Sequence, residues 1–352
     1  MTAAAPLRVA VLGAGTVGRE VVRALLERSD DLTPVGGPPL VLAGIAVRDV
    51  ERARAGGLQP DLLTDAPAHL VASDETDVIV ELMGGDEPAR TLIGAALVAG
   101  KAVVTANKHV IAHHGPELEA LARRSGSPLR FEAAVGGGIP VLGPIATELA
   151  GNRITAVRGI VNGTTNYILT AMADEGLDYA EVLAAAQAAG YAEADPSGDV
   201  EGLDAVNKLV ILARLAFGVW LDPADVANVP ADGPGAGRPG ITGVSAADLA
   251  SARAAGGTVK LIAEATSSAD GRPPTAAVLP RVVDADSALG RTAGVLNRIE
   301  VEGEPVGMVA FSGPGAGGAA TSSAVLGDLI AISRELGSTW AGLPPALSAA
   351  IR

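Results

Sequence analysis

Short apolar runs alternate with amphipathic stretches along the first part of the chain. Five of these runs have the length and composition of buried strands; they lie at 7–12, 40–47, 77–82, 101–105 and 129–133. Strands that alternate with helical stretches are typical of a parallel sheet with crossover helices. The pattern therefore predicts an α/β fold with a doubly wound parallel sheet.

The pattern changes after Gly151. Long Ala-rich helical stretches follow at 178–189 and 203–217, and β-type runs occur near 154–161 and 275–311. These features predict a second domain of α+β type.

Local signals mark the ends of elements in this second part. Asp178 is an expected N-cap, with Glu181 three residues later as in a capping box and Gly190 as a stop. The Pro- and Gly-rich stretch 222–240 lacks periodicity and predicts an exposed loop. The pentapeptide GPGAG occurs inside that loop and again at 313–317, where it separates a β-type run from a helical stretch. The second copy is a candidate functional loop.

Composition excludes several classes of function. No apolar run among the 352 residues reaches the roughly 18 residues of a membrane-spanning helix. The N-terminus lacks the pattern of a secretory signal, so we expect a cytoplasmic location. The absence of cysteine excludes disulfides, thiolate metal sites and a cysteine nucleophile. The net charge of -14, without a basic patch, argues against nucleic-acid and membrane-surface binding.

A glycine-rich segment directly follows the first predicted strand. Gly13, Gly15 and Gly18 form the pattern GxGxxG, with Thr16 and Val17 before the last glycine. The first glycine permits a tight turn, the second lets pyrophosphate approach the backbone, and the third lets helix and strand pack closely. The helix N-terminus then faces the phosphates. We expect a Rossmann-type domain in which these five residues bind a dinucleotide.

The end of the second strand bears on the choice of nicotinamide cofactor. NAD enzymes place an acid there against the ribose hydroxyls, whereas an arginine can pair with the 2′-phosphate of NADP. Arg48 precedes Asp49 here, which favours NADP. Asp49 could still serve NAD, use of both cofactors is open, and a solvated loop charge is the alternative interpretation of Arg48.

Five candidate residues lie at the ends of the next two strands, at the sheet edge where α/β proteins bind ligands. They are Met83, Gly84, Thr105, Asn107 and Lys108, and all five are expected to line the cofactor crevice. Lys108 could instead be a surface charge. The adjacent His109, His113 and His114 have no spaced acid partner in the sequence, so we interpret them as a surface cluster rather than as metal ligands.

The segment 131–140 is expected to be a strand that ends in three glycines and a proline. In an extended chain alternate carbonyls point the same way, so those of Val135, Gly137 and Ile139 could converge on a hard cation. A plain interdomain hinge is the alternative interpretation.

Residues 162–169 place amide, hydroxyl and backbone donors before an apolar helix. This arrangement predicts a helix N-terminus that binds a carboxylate. An ordinary Thr or Asn cap would account for one of these residues.

The densest polar cluster lies at 190–204 and is followed by Lys208. Asp204 and Lys208 are four residues apart in an otherwise apolar helix, so we expect them to face the same way and to be partly buried. The chain has only four lysines, at 101, 108, 208 and 260, which makes a lysine in a polar motif informative. A lysine beside an acid suits proton transfer to a substrate oxygen, and the other carboxylates suit a substrate ammonium group.

Six motifs, in this order and spacing, resemble homoserine dehydrogenases. They are GAGTVG, ANKH, FEAAVGGGIPV, GIVNGTTNYIL, GYAEADPSGDVEGLDAVNKLVILA and GPGAGGAATSSAVLGDL. The resemblance covers nearly the whole chain to about residue 335. The resemblance implies interconversion of L-homoserine and L-aspartate 4-semialdehyde with NADP or NAD.

The resemblance also implies roles for individual residues. Lys208 would be the catalytic proton donor or acceptor, oriented by Asp204 and assisted by Lys108. The substrate would be bound by the residues Gly163, Thr164, Tyr191, Glu193, Asp199 and Asp204.

Further ligands follow from the same resemblance. A monovalent cation, sodium in the family, would lie in the segment that contains Glu132, Val135, Gly137 and Ile139. Gly315 would belong to a loop that closes on the cofactor.

The implied organisation has three parts and a homodimer. Residues 1–134 with about 318–352 would bind the nucleotide, about 135–150 with 280–317 would form a dimerisation region, and about 151–279 would be catalytic. Many bacterial members continue into a small regulatory ACT domain, whereas this sequence ends at Arg352, so we do not expect inhibition by threonine through such a domain.

Two other functions stay open from the sequence alone. A nucleotide sensor could keep the fold without activity, although the acids and Lys208 argue against it. Another amino-acid dehydrogenase of similar architecture is the second alternative, and competition between substrates would distinguish it.

Overall fold

The computed structural model describes residues 5–33, 37–268 and 272–346. Contacts divide the chain into two compact units. One contains Met1–Ala146 and Ala316–Pro345, and the other consists chiefly of Thr147–Gly315. The expected nucleotide and catalytic regions also include residues 1–4, 34–36, 269–271 and 347–352, which lie outside the described residues.

The first unit contains a parallel sheet of six strands. In chain order these are β1 (Leu7–Leu12), β2 (Leu40–Ala46), β3 (Leu63–Thr64), β4 (Val78–Glu81), β5 (Ala102–Thr105) and β6 (Leu129–Arg130). Their spatial order is β3-β2-β1-β4-β5-β6, which confirms the predicted doubly wound sheet. The short edge strand β3 was not predicted, because two residues carry no periodicity.

Among the described residues, six helices lie between these strands along the chain, and a seventh follows β6. They are α1 (Thr16–Glu27), α2 (Ser29–Leu32), α3 (Val50–Ala55), α4 (Pro67–Ala72), α5 (Ala89–Val98), α6 (Lys108–Ser125) and α7 (Leu142–Ala146). The central strands are buried on both faces, so most of their residues are apolar. Val9 and Val11 of β1 pack with Val21 and Leu25 of α1 in the main core of this unit.

The prediction of an extended strand over 129–133, continuing to 140, is wrong beyond Arg130. Glu132–Ala134 form a 3-10 helix, and Gly136 and Gly137 have φ angles of +74° and +59°. The buried Glu132 carboxylate causes this turn, because it accepts hydrogen bonds of 2.7–2.8 Å from the N–H groups of residues 141–143 at the start of α7. The chain must fold back to reach its own acid, and glycine permits the left-handed conformation that this requires.

The second unit contains an antiparallel sheet of five strands. These are β7 (Arg153–Ile160), β8 (Gly257–Thr266), β9 (Thr275–Asp284), β10 (Leu296–Glu304) and β11 (Gly307–Pro314), in the spatial order β11-β10-β7-β8-β9. The α+β prediction is confirmed. Strand β8 was missed by the sequence interpretation.

Helices α8 (Gly163–Glu175), α9 (Tyr179–Ala188), α10 (Ser197–Val200), α11 (Leu203–Phe217) and α12 (Ala246–Ala254) complete this unit. The predicted Asp178–Glu181 capping box is present at the start of α9. Helix α11 coincides with the predicted stretch and packs on strands β7, β8 and β9. Helix α12 was not predicted.

Helix α13 (Gly318–Ser333) returns to the first unit and packs against α1. Its Asp328 accepts hydrogen bonds from the Arg130 guanidinium at 2.7 Å and from the backbone N–H of Glu132 at 2.8 Å. These bonds attach the C-terminal helix to the end of β6. Among the described residues, no helix has both the length and the apolar character needed to span a membrane.

Lys260 of β8 is a buried lysine in the second unit, with 3% of its surface exposed. Its ammonium group donates to the carbonyl of Thr292 at 2.8 Å and to the side chain of Asn166 at 3.1 Å. Burial lowers the pKa of Lys260 to about 8, although the charge of Asp174 acts in the opposite direction.

This lowered pKa predicts a pH-dependent stability. Between the folded pKa of about 8 and the ordinary value of 10.5 the unfolded chain binds more protons, so the unfolding free energy rises with pH in that window. Relative to Lys260→Met, the wild type should gain about 2 kcal/mol between about pH 7.5 and about pH 10, measured by reversible urea unfolding. Equal pH slopes for the two proteins would contradict this assignment.

Candidate active site

The glycine-rich turn between β1 and α1 has the geometry of a dinucleotide cradle. Gly13 has φ +100°, and a Cβ atom there would lie 2.6 Å from the carbonyl oxygen of Leu82. A Cβ atom at Gly18 would lie 2.0 Å from the carbonyl oxygen of Gly13, so this glycine allows α1 to approach the turn. A Cβ atom at Gly15 would meet nothing within 4 Å.

The backbone N–H groups at the start of α1 are available for a ligand at the same turn. Gly15 is the N-cap and provides no side-chain hydrogen bond to the first N–H groups of the helix. The N-terminus of a helix is a favourable site for phosphate, because its N–H groups and its dipole face the ligand. The open space at Gly15 and the uncapped helix therefore fit the pyrophosphate of a dinucleotide.

Glu81 organises the carboxyl ends of β4 and β5 and was not among the predicted site residues. Its fully buried carboxylate accepts from the Thr105 hydroxyl at 2.7 Å and from the N–H groups of Met83 and Gly84 at 2.8 Å and 3.3 Å. The structure thus brings three predicted cofactor residues together around one acid. The location of Glu81, as the last residue of an apolar strand, was the sequence signal for it.

Asn107 connects the two loops at this edge. Its side-chain N–H donates to the carbonyl of Gly85 at 2.8 Å, and its side-chain oxygen accepts from the N–H of Val110 at 3.1 Å. Asn107 is therefore the N-cap of α6, and Lys108 is the partly buried first residue of that helix.

The histidines of α6 have an acid partner that the sequence analysis did not identify. Nε2 of His114 lies 2.7 Å from Asp86, and Nε2 of His109 lies 3.9 Å from the same carboxylate. The hydrogen bond with His114 lowers the pKa of Asp86. Within residues 5–33, 37–268 and 272–346 no group of three or more histidine or acidic side chains could hold a metal ion.

Arg48 and Asp49 follow β2 and are both exposed. Asp49 is the N-cap of α3, where its carboxylate accepts from the N–H of Arg52 at 2.9 Å. One carboxylate oxygen of Asp49, the residue after Arg48, therefore caps helix α3.

Asp204 and Lys208 form a buried ion pair in the second unit, as predicted. Lys208 Nζ donates to Asp204 Oδ2 at 2.6 Å and to the carbonyl of Val161 at 2.7 Å. The two residues expose only 9% and 8% of their surfaces. A buried ion pair is costly unless further hydrogen bonds accompany it, and the carbonyl of Val161 is one such partner.

Asn162 follows Val161 and is the N-cap of α8. Its amide nitrogen donates to Asp199 at 2.7 Å and to Asp204 at 2.8 Å. The alternative of an ordinary cap therefore describes part of its role, while the bonds to two acids were not foreseen. Gly163 and Thr164, the first residues of α8, are partly buried.

Tyr191 and Glu193 lie on the exposed segment between α9 and α10. The Thr164 hydroxyl donates to the carbonyl of Tyr191 at 3.0 Å, and the rings of Tyr191 and Tyr167 have centroids 4.6 Å apart. These contacts attach the segment to the first turns of α8. The structure thus brings Tyr191 and Thr164 together, and separately brings Asp199, Asp204 and Lys208 together around residues 161 and 162.

The second GPGAG copy begins at the end of β11. A Cβ atom at Gly315 would lie 2.2–2.3 Å from the side-chain amide of Asn297. This fully buried amide has no hydrogen-bond partner for its nitrogen or its oxygen among the described residues. Only glycine fits at position 315 while Asn297 keeps this place.

The predicted cation segment is a compact turn. Both carboxylate oxygens of Glu132 are bonded to backbone N–H groups, as described above. Burial, and secondly the charge of Asp328, raise the pKa of Glu132. The N–H of Ile139 donates to the carbonyl of Gly136 at 2.9 Å, which closes the turn that contains Val135 and Gly137.

Known proteins resemble this chain in both sequence and structure. The homoserine dehydrogenase family model matches residues 140–330, and the model of the homoserine dehydrogenase NAD-binding domain matches residues 13–132. A homoserine dehydrogenase of Mycobacterium tuberculosis H37Rv is 47% identical over 338 residues, which cover 95% of this chain and 74% of that protein. The enzyme of Corynebacterium glutamicum is 44% identical, with coverages of 96% and 76%.

Two solved structures extend the comparison. A homoserine dehydrogenase from Thiobacillus denitrificans has a TM-score of 0.89 and 36% identity, and the match covers 97% of this chain and 79% of that one. A hyperthermophilic archaeal homoserine dehydrogenase in complex with NADPH has a TM-score of 0.77 and 27% identity, with coverages of 94% and 98%. The sequence and structural similarity together establish that the chain belongs to the homoserine dehydrogenase family, whose members are oxidoreductases with an NAD-binding domain.

Proposed function

We propose that this chain catalyses the NAD(P)-dependent interconversion of L-homoserine and L-aspartate 4-semialdehyde, a step in the biosynthesis of threonine, methionine and isoleucine. The observation that carries the proposal is the buried Lys208–Asp204 pair at 2.6 Å, placed among acids in a chain of this family. A lysine held in this way can exchange a proton with an alcohol oxygen.

A bound nicotinamide cofactor would supply the hydride chemistry at the carbon that bears the hydroxyl. The chain would hold this cofactor through residues of the glycine-rich turn, the strand ends and the second GPGAG loop; these are Gly13, Gly15, Thr16, Val17, Gly18, Arg48, Met83, Gly84, Thr105, Asn107, Lys108 and Gly315. The space at Gly15 and the uncapped start of α1 support this assignment.

The protein residues would hold the substrate and move its proton. Lys208 accepts the hydroxyl proton during homoserine oxidation and returns it during reduction, while Asp204 orients the amine. Lys108 is the proposed second catalytic lysine. The ammonium group and the rest of homoserine are assigned to acidic, aromatic and helix-start residues; these are Gly163, Thr164, Tyr191, Glu193, Asp199 and Asp204.

NADP is the proposed preferred cofactor, with NAD as a second one. Arg48 is exposed at the end of β2, where a 2′-phosphate would lie, and a carboxylate oxygen of Asp49 is engaged in capping α3. The archaeal relative in complex with NADPH is consistent with this choice.

We also propose a monovalent cation, sodium by resemblance, in the turn that contains Glu132, Val135, Gly137 and Ile139. Backbone carbonyls are suitable ligands for a hard cation, and the bonds of Glu132 to α7 hold the turn in a fixed shape. The role of such an ion would be structural.

A homodimer is the proposed assembly. Strand β11 lies at the edge of its sheet and carries the exposed side chain of Met308, which is 51% accessible. An edge strand with apolar side chains favours association with another chain.

Replacement of Lys208 by Ala tests the reaction. The kcat for homoserine oxidation should fall by about two or more orders of magnitude, because a general acid-base group is lost. The affinity for NADPH, measured by fluorescence titration, should change little. Near-normal turnover of the variant would contradict the acid-base role of Lys208. A wild type that binds NADPH but does not oxidise homoserine would favour the alternative function, a nucleotide sensor.

Gly15→Ala tests the cofactor cradle. Gly15 has φ -74°, which alanine tolerates, and the added methyl group meets no protein atom within 4 Å. The variant should therefore keep the Tm of the wild type but bind NADPH about tenfold or more weakly, because the methyl group occupies the space for pyrophosphate. Gly151→Ala is the matched control, since its Cβ is equally unobstructed and lies in the other unit. Equal affinities for all three proteins would contradict the cradle.

Arg48→Ala tests the cofactor preference. Loss of a charge-assisted bond to the 2′-phosphate should reduce kcat/KM for NADPH about tenfold or more and leave that for NADH nearly unchanged. Arg52→Ala, an exposed arginine four residues further on, is the control. A similar loss with both cofactors would exclude recognition of the 2′-phosphate by Arg48.

A further inference from the structure

We propose that Asn162 is a positioning residue for the reaction, which sets the places of Asp199 and Asp204 and thereby aligns Asp204 with Lys208. This inference rests on the proposed function and adds a residue to which no role in the reaction has been assigned so far.

The hydrogen bonds of Asn162 leave no part of its amide unused. The nitrogen donates to Asp199 Oδ1 at 2.7 Å and to Asp204 Oδ2 at 2.8 Å, and the oxygen accepts from the N–H of Thr165 at 2.8 Å. Only 5% of the residue is exposed. A carboxylate accepts hydrogen bonds and a backbone N–H donates them, so the orientation of the amide is determined by its partners.

The two acids need a donor between them. Carboxylate oxygens that bond to the same nitrogen lie close together, and like charges at short range repel each other. The amide N–H groups of Asn162 offset this repulsion without adding charge. Oδ2 of Asp204 then accepts from Asn162 and from Lys208 at the same time.

Adjacent residues hold both partners of the ion pair. The carbonyl of Val161 accepts from the Lys208 ammonium, and the side chain of Asn162 donates to the Asp204 carboxylate. The two residues directly after β7 therefore determine where the reactive amine and its acid lie.

Capping combined with N–H donation explains why this residue is asparagine. Ser, Thr and Asp cap helices about as well as Asn, and each could accept the N–H of Thr165. Only Asn combines this acceptor with N–H donors on the opposite side, where Asp199 of α10 and Asp204 of α11 lie. The capping oxygen fixes the side chain on α8, and this in turn aims the nitrogen at the two acids.

Three variants separate positioning from capping. Asn162→Ser keeps a capping oxygen and removes the donors, Asn162→Asp keeps the cap and replaces the donors with a third carboxylate, and Asn162→Ala removes both functions. The quantities to measure are Tm, the apparent affinity for homoserine, and kcat for homoserine oxidation as a function of pH.

Positioning predicts that kcat does not follow stability. Asn162→Ser and Asn162→Ala both remove the donors to the two acids, so kcat should fall about tenfold or more in each. Tm should fall further in Asn162→Ala, because that variant also loses the helix cap. In Asn162→Asp the added charge favours the ammonium form of Lys208, so the rise of activity with pH should move upward by about one pH unit. Capping alone would leave Asn162→Ser and Asn162→Asp with wild-type kcat and an unshifted pH profile, which would overturn the inference.

The same assays separate failure of this inference from failure of the proposed function. A wild type that oxidises homoserine, together with fully active Ser and Asp variants, rejects only the role of Asn162. A folded wild type that does not oxidise homoserine rejects the function, and the inference with it.

Discussion

A lysine ammonium group enclosed by protein is stable only when every neighbouring acceptor is in place, and the second unit is organised around this constraint. The amine of Lys208 in α11 attaches this helix to the segment directly after β7, because it bonds to the carbonyl of Val161 there and to Asp204 of its own helix. The carboxylate in turn needs the amide of Asn162, which also begins α8. One charge therefore sets the relative positions of a strand and two helices.

In the first unit a buried acid, rather than a buried lysine, organises its surroundings through hydrogen bonds. Glu81, fully buried at the end of β4, bonds to the loop that follows its own strand and to Thr105 of the next strand. Asn107 continues the network from Thr105 to Gly85. Because these polar side chains are hydrogen-bonded to one another and to the backbone, the edge of the sheet keeps its shape without a ligand. This order lowers the entropic cost of ligand binding.

The sequence predicted those parts of the fold that depend on periodicity. Five of the six strands of the parallel sheet were located from their apolar patterns, the last of them only over Leu129–Arg130. Helix α11 was located in the same way, and the Asp204–Lys208 pair from its helical spacing. Failures occurred where a contact distant in sequence overrides local preference. At 131–140 the hydrogen bonds of the Glu132 carboxylate to the start of α7 replace the predicted strand with a turn. Asp86 forms a hydrogen bond with His114, which lies 28 residues further along the chain. The dual role of Asn162 was not predicted either. A helix cap can be identified from the sequence, whereas the hydrogen bonds of its nitrogen to Asp199 and Asp204 cannot.

The burial of lysines has a practical consequence for chemical labelling. Lys101, Lys208 and Lys260 each expose 8% or less of their surface, and Lys108 is partly buried at the start of α6. An amine-selective acylating reagent therefore finds Lys108 as the most accessible lysine of the folded chain. Acylation of the other three would report local opening of the units that enclose them.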